Sequence, residues 1–328
     1  MVNPSAKLNP KLFDEDIETV PSRNGFGEGL VIAGEENPNI IALCADLTES
    51  TRIEAFKKRF PERFIEVGVA EQNLVTVAAG MAALGKVPFT SSYATFSPGR
   101  NWEQIRTTIA YNDRPVKIVG SHAGISVGPD GATHQATEDM AMMRALPNMI
   151  VICPADSIEA KKATLAIAKN NKPSYLRLSR EKVQTVTTDD TPFEIGKVEV
   201  FYEGEDVTVI ACGQMVYHAL VAAKELEKEK ISVRVLNCHT IKPIDIEGIT
   251  KAAKETGAVV TVEEHQIIGG LGGAVAEVLG ENCPVPLKRI GMEDTFGESG
   301  TAKELLKKFG LTEENIIKGI RHVLSLKK

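Results

Sequence analysis

The chain has 328 residues, 44 acidic against 38 basic, and a net charge of −6 with both signs interspersed. That length leaves room for two domains of ordinary size. The lack of a basic stripe argues against nucleic acid as a partner, and no apolar run approaches the roughly 18–20 residues that cross a bilayer. Residues 1–18 are polar and acidic, unlike a signal peptide or an Arg-rich transit peptide. Cys44, Cys153, Cys212, Cys238 and Cys283 are scattered and lack CxxC spacing. They point to reduced core thiols and a cytoplasmic location. The six histidines show no HxxxH pairing, so no metal site is expected on this chain.

The elements alternate. Residues 22–35 read as a helix, 39–44 as a short apolar strand, and 63–67 as a strand running into a helix-patterned segment that ends at 84. Strands follow at 87–91, 116–120, 149–153 and 174–178, with helices at 102–111 and 157–169. Asp156 or Ser157 suits the N-cap of that last helix. The Thr/Asp-rich stretch 183–193 reads as a linker. Beyond it come strands at 207–212, 233–237, 258–263 and 287–290, and helices at 216–228, 246–255 and 274–279. The tail 312–326 opens on a capping-box-like Thr312-Glu313-Glu314-Asn315 and continues as an amphipathic helix. This pattern predicts an α/β chain of two domains, 1–182 and 194–328, each a mainly parallel sheet flanked by helices. No internal repeat is visible.

Two glycine-rich stretches carry no nucleotide chemistry. GFGEGL at 25–30 has the wrong spacing for a dinucleotide fingerprint and no strand before it. GGLGG at 269–273 lacks the Lys-Ser/Thr of a phosphate loop and reads as a tight strand-to-helix turn.

Two other stretches do carry chemistry. GVAEQN at 68–73 sets Glu71 at a strand end, among Val67, Val69, Ala70, Leu74 and Val75. An isolated glutamate there reads as a solvated first-turn residue favoured by the helix dipole. The apolar neighbours argue for burial, and a buried carboxylate needs a hydrogen-bond donor or a ligand. VGPDGATHQATED at 127–139 sets Asp130 and His134 in a glycine-rich loop, with His122 close before it. Three polar groups converging on one strand end suit a site. Tyr93 and Phe96 follow the strand at 87–91; alone they read as core packing.

Together these stretches resemble the pyrimidine-binding half of a thiamine-diphosphate enzyme, and the transketolase family in particular. His122, eight positions before Asp130, and the run DGATHQ are similar to that family's pattern. The resemblance spans nearly the whole chain. It implies that Glu71 hydrogen-bonds N1′ of the cofactor's aminopyrimidine, that Phe96 stacks on that ring, and that Tyr93 lines the pocket wall. Asp46, in the ADLT turn, is implied near the thiazolium. His134 is implied at the reacting end of a donor ketose and Asp130 at a hydroxyl beside the acceptor carbonyl. Arg23, Ser50, His122 and Arg180 are implied as ligands of a distant phosphate, where arginine suits bidentate contact. The activity implied is two-carbon ketol transfer between sugar phosphates, as in the pentose phosphate pathway, with Glu71 and His134 as the catalytic pair.

One departure is informative. The family's diphosphate-binding domain, with its GDG motif for Mg²⁺ or Ca²⁺, has no counterpart here. The chain therefore resembles the C-terminal subunit of a split transketolase. An N-terminal subunit would bring the metal, the diphosphate site and further histidines, and the assembly expected is an α2β2 heterotetramer. Three rival readings stand: the β-subunit of a 2-oxo-acid dehydrogenase, a 1-deoxyxylulose-5-phosphate synthase-like enzyme, and a non-catalytic regulatory subunit. The first needs no phosphosugar ligands. The second typically has arginine where Ala123 stands.

Overall fold

The computed structural model describes residues 1–327. The first half runs β1 (Thr19–Pro21), α1 (Ser22–Glu36), β2 (Ile40–Cys44), α2 (Glu54–Arg59), β3 (Phe64–Glu66), α3 (Glu71–Ala83), β4 (Val87–Tyr93) and α4 (Trp102–Gln104). It continues through β5 (Lys117–Ser121), α5 (Asp139–Arg144), β6 (Ile150–Ile152), α6 (Ser157–Lys169), β7 (Ser174–Arg177) and β8 (Lys182–Gln184). The second half runs β9 (Glu199–Tyr202), β10 (Val207–Ala211), α7 (Met215–Leu226), β11 (Val233–Asn237), β12 (Thr240–Lys242), α8 (Ile246–Thr256), β13 (Val259–Gln266), α9 (Leu271–Asn282), β14 (Leu287–Met292), α10 (Ala302–Lys308) and α11 (Glu313–Leu326).

The strands form a seven-stranded sheet, β12-β6-β7-β5-β4-β2-β3, and a five-stranded sheet, β14-β13-β10-β11-β9. Only β12 in the first and β9 in the second run antiparallel to their neighbours. Strands β2, β5, β7 and β10 are buried along their whole length. Helices cover both faces, so β2 and β10 read as mostly apolar runs rather than alternating ones, while β5 and β7 bury Lys117 and Arg177 at their ends. The α/β architecture with mainly parallel sheets is as the alternation predicts.

Several segments depart from the pattern. Strand β12 lies in sequence within the second half but pairs with β6 in the first sheet. At the other end, Val2 bridges to Tyr202, and Ala6 and Leu12 pack into the core built on β10 and α7. The polar stretch after residue 182 is folded down: β8 pairs with β1, and the Thr187 amide and hydroxyl donate to Asp156 at 2.6 and 2.8 Å. Asp156 also caps α6, accepting from the Glu159 amide. The expected helix at 102–111 is α-helical only through α4 and then widens into a π-helical turn, Ile105–Ala110. Thr107 and Thr108 donate their hydroxyls back to the carbonyls of Glu103 and Gln104, in competition with the ladder. The tail helix α11 is capped by Thr312, with Asn315 in the third position; the reciprocal capping box belongs to Thr301 and Glu304 at α10.

GFGEGL sits inside α1, where Gly25 brings that helix onto α6: a Cβ there would lie 1.7 Å from the Ser157 carbonyl oxygen. GGLGG is a strand-to-helix turn, and the Glu263 carboxylate accepts the amides of Leu271 and Gly272 at 2.7 Å each, closing the N-terminus of α9. Between the halves lies a buried polar knot. Asp139 accepts from Tyr175 Oη at 2.7 Å and from Arg177 Nε at 2.9 Å, while Arg177 also donates to the carbonyls of Ala136 and Glu264. Around the knot, Met140 and Met143 share one apolar cluster with Leu236, Ile249, Leu271 and Val275. The knot pins the loop that follows His134 to strand β13.

Candidate active site

Parallel sheets present ligands at the carboxyl ends of their strands, and the ten residues singled out in the sequence gather there. Asp46 and Ser50 follow β2, Glu71 follows β3, and Tyr93 and Phe96 end or follow β4. His122, Asp130 and His134 follow β5, Arg180 follows β7, and Arg23 opens α1 beside them.

Glu71 is 2% exposed at the first turn of α3. Its Oε2 accepts from Arg100 Nη1 at 2.7 Å, and its carbonyl accepts from Asn101 Nδ2 at 2.8 Å. The Arg100 guanidinium lies 4.9 Å from the centre of the Phe96 ring. Phe96 stacks near-parallel on Tyr93 with centroids 6.0 Å apart, and Tyr93 stacks on His122 at 3.9 Å. His134 meets Phe96 edge-on at 5.3 Å. A continuous row of contacts therefore runs from the buried carboxylate across two aromatic faces to an imidazole.

A cationic cluster ends that row. Arg23 Nη1 donates to the Ser50 carbonyl at 2.9 Å and to His122 Nε2 at 2.8 Å. Because a guanidinium only donates, Nε2 is the acceptor; the hydrogen is thereby assigned to Nδ1, which sits 2.8 Å from Ser121 Oγ. Burial, then the charges of Arg23, Arg180 and Arg52, push the His122 imidazole down to about 2. Burial and the charge of Arg52 likewise lower Arg23, whose Nε is buried without a hydrogen-bond partner among the described residues. Arg180 donates to the Val127 carbonyl and lies 3.7 Å from Asp130. Three arginines crowd one another around a neutral histidine. Such an arrangement suits a multivalent anion that supplies the missing acceptors.

The geometry also carries strain. His122, Asp46 and Arg52 all adopt the left-handed backbone region, with φ of 57°, 59° and 67°. Non-glycine residues held there cost energy and cluster at ligand sites. The Asp46 turn is held by Glu66, which accepts from the Asp46 amide at 2.7 Å, Thr48 Oγ1 at 3.0 Å and the Gly68 amide at 3.0 Å. Sequence reading missed Arg100, Asn101, Arg52 and Glu66. A cation four residues after Phe96 was the one visible signal; Asn101 and Glu66 act on backbone groups and Arg52 through its charge on Arg23 and His122, which no spacing reveals.

A buried carboxylate and an aromatic face that share one flat guanidinium between them suit an aminopyrimidine, which offers one hydrogen-bonding edge and one stacking face. The family model described as the transketolase pyrimidine binding domain matches residues 18–185, and that of the transketolase C-terminal domain matches 196–316. The chain belongs to the transketolase family. Within it, the chain is 49% identical to a putative transketolase C-terminal section of Methanocaldococcus jannaschii, over 91% of this chain and 94% of that one. A 6-deoxy-6-sulfo-D-fructose transketolase subunit of a Clostridium species is 42% identical, over 96% and 98% of the two chains. Against the full-length transketolase of Rattus norvegicus, 37% identical, it spans 50% of the length. Among solved structures, a split gene transketolase described as an inactive beta4 tetramer superposes with a TM-score of 0.89 at 48% identity, covering 94% of this chain and 100% of that one. The chain is thus a split-transketolase-type C-terminal subunit, from a family that depends on thiamine diphosphate.

Proposed function

We propose that this subunit transfers a two-carbon ketol unit from a ketose phosphate, such as xylulose 5-phosphate, to an aldose phosphate, such as ribose 5-phosphate. The observation that carries the reading is the buried Glu71 carboxylate, joined through Arg100 to the face of Phe96, with the arginine cluster at the far end of the same row. Thiamine diphosphate, when bound, supplies the carbanion-stabilising chemistry. Glu71 would hold a hydrogen bond to the ring nitrogen N1′, Phe96 and Tyr93 would fix the ring plane, and Asp46 would stand near the thiazolium.

His134, edge-on to Phe96, aligns donor oxygens at the reacting end, and Asp130 recognises a hydroxyl near the acceptor carbonyl. Arg23 and Arg180 grip the distant phosphate, with the strand-end turn at Ser50 positioning Arg23. Both nitrogens of His122 have partners within the chain, so its part is to aim the Arg23 guanidinium. Binding energy collected at a remote phosphate positions the reacting bond.

The diphosphate site and its Mg²⁺ or Ca²⁺ are assigned to an N-terminal partner subunit, in an α2β2 assembly. The similar split gene transketolase described as an inactive beta4 tetramer supports a subunit that is inert alone. The test mixes this chain with its candidate partner, thiamine diphosphate and Mg²⁺, and follows glyceraldehyde 3-phosphate release from xylulose 5-phosphate. Activity is expected only in the mixture, and Glu71→Ala is expected to lower it by orders of magnitude. An inactive mixture that demonstrably assembles, or an active Glu71→Ala enzyme, sinks the proposal. Relatives named for 6-deoxy-6-sulfo-D-fructose and apulose-4-phosphate make those sugars the next donors to try.

A further inference from the structure

We propose that Arg100 is a built-in competitor for the pyrimidine ring, and that it must leave Glu71 for the cofactor to bind. The inference rests on the thiamine-diphosphate reading above. Arg100 holds two contacts at once: a 2.7 Å charge-assisted hydrogen bond to Glu71 Oε2, and a position 4.9 Å from the Phe96 ring centre. A guanidinium is flat, cationic and rich in donors, so it satisfies a carboxylate at its edge and an aromatic ring at its face. An aminopyrimidine needs the same carboxylate and the same face. Both cannot hold them together.

The two partners differ in freedom. Glu71 is 2% exposed and fixed at the start of α3, while the Arg100 side chain is 50% exposed. Beyond Glu71 and the Phe96 face, Arg100 makes no other side-chain hydrogen bond or ion pair among the described residues. Arg100 is therefore the group that moves, and solvent can receive it. The neighbouring Asn101 holds the Glu71 carbonyl, not its carboxylate, so the α3 turn stays anchored when the arginine swings out. The arrangement keeps a buried carboxylate paired until a better-matched ring takes its place, at the expense of cofactor affinity.

The test compares the assembled two-subunit enzyme carrying wild-type Arg100, Arg100→Gln or Arg100→Lys. Binding of thiamine diphosphate in the presence of Mg²⁺ is measured by titration calorimetry, and a thermal melt of each protein checks the fold. Arg100→Gln is expected to bind the cofactor about tenfold to a hundredfold more tightly, the range that loss of one charged hydrogen bond converts to. Arg100→Lys, which keeps the charge but loses the flat fork, is expected in between. A structure of the loaded enzyme is expected to show Arg100 away from Glu71. Equal or weaker binding by a folded Arg100→Gln enzyme, or a loaded structure with the 2.7 Å pair intact, overturns the competitor role while leaving the cofactor reading standing. Failure of the wild-type assembly to bind thiamine diphosphate overturns both.

Discussion

Replacing Arg23 by Gln separates anion binding from folding. In the wild-type protein Arg23 makes two hydrogen bonds, to the Ser50 carbonyl and to His122 Nε2, and leaves its buried Nε without a partner among the described residues. Arg52 and Arg180 repel it. The loss of two bonds is set against relief of that repulsion, so stability is expected to change by less than about 1.5 kcal/mol. A bound phosphate loses one charged contact, about 1.5–3 kcal/mol. At about 1.4 kcal/mol per factor of ten, KM for a phosphorylated ketose donor rises roughly tenfold to a hundredfold, while an unphosphorylated ketose is little affected. The assay is steady-state kinetics of the assembled enzyme with both donors. Equal changes for the two donors, or none for the phosphorylated one, refute the phosphate role. A second readout is independent of activity. With Arg23 gone, the His122 imidazole, now near 2, is expected to climb as one of its repelling charges disappears. Nitrogen NMR of the ring follows that titration.

Three further outcomes are expected. Asp139→Ala leaves Arg177 charged and buried without its carboxylate, so urea denaturation is expected to show a loss of about 3–5 kcal/mol. Glu159 is pushed up to about 8 by burial and by the charge of Asp156. Its folded form thus binds a proton that the unfolded chain has released; stability from this group is complete below the ordinary carboxylate range and is lost as pH rises through about 8. Glu159→Gln is expected to remove that slope, at most about 1.4 kcal/mol per pH unit, in denaturation curves recorded from pH 5 to about 8; an unchanged slope assigns it elsewhere. Gly25→Ala places a Cβ 1.7 Å from the Ser157 carbonyl oxygen, and forcing α1 off α6 is expected to cost about 3 kcal/mol in a thermal or chemical melt.

The alternation of apolar runs made the α/β architecture legible, because parallel strands buried on both faces are mostly apolar along their length. The motif around Glu71 was legible for a similar reason: a carboxylate among Val67, Ala70, Leu74 and Val75 conflicts with its surroundings unless something satisfies it. The group that satisfies it was not legible. Arg100 sits in an irregular stretch between β4 and α4, where no periodicity says which way a side chain points. Arg52 and Glu66 escaped notice because a left-handed turn brings the Arg52 charge toward Arg23 and His122, and Glu66 holds backbone amides, all of which depend on the loop's path. The three-residue strands β1, β8 and β12 are too short to have a pattern, and their partners lie far away in sequence. The π-helical turn after α4 followed an apolar spacing compatible with an ordinary helix; its threonines, with their own demands on the backbone, were the overlooked sign.

Strand β12 makes the two halves a single heritable unit. The first sheet is finished by Thr240–Lys242, a segment that the ribosome delivers only after β10 and β11. A fragment cut within 183–193 would carry the fully buried β6 residues Val151 and Ile152 on a bare strand edge. Bare edges recruit other chains. Recombination, nicking by proteases or laboratory truncation between the halves is therefore expected to produce sticky fragments rather than two working modules. A lineage that shuffles this protein must move both halves together.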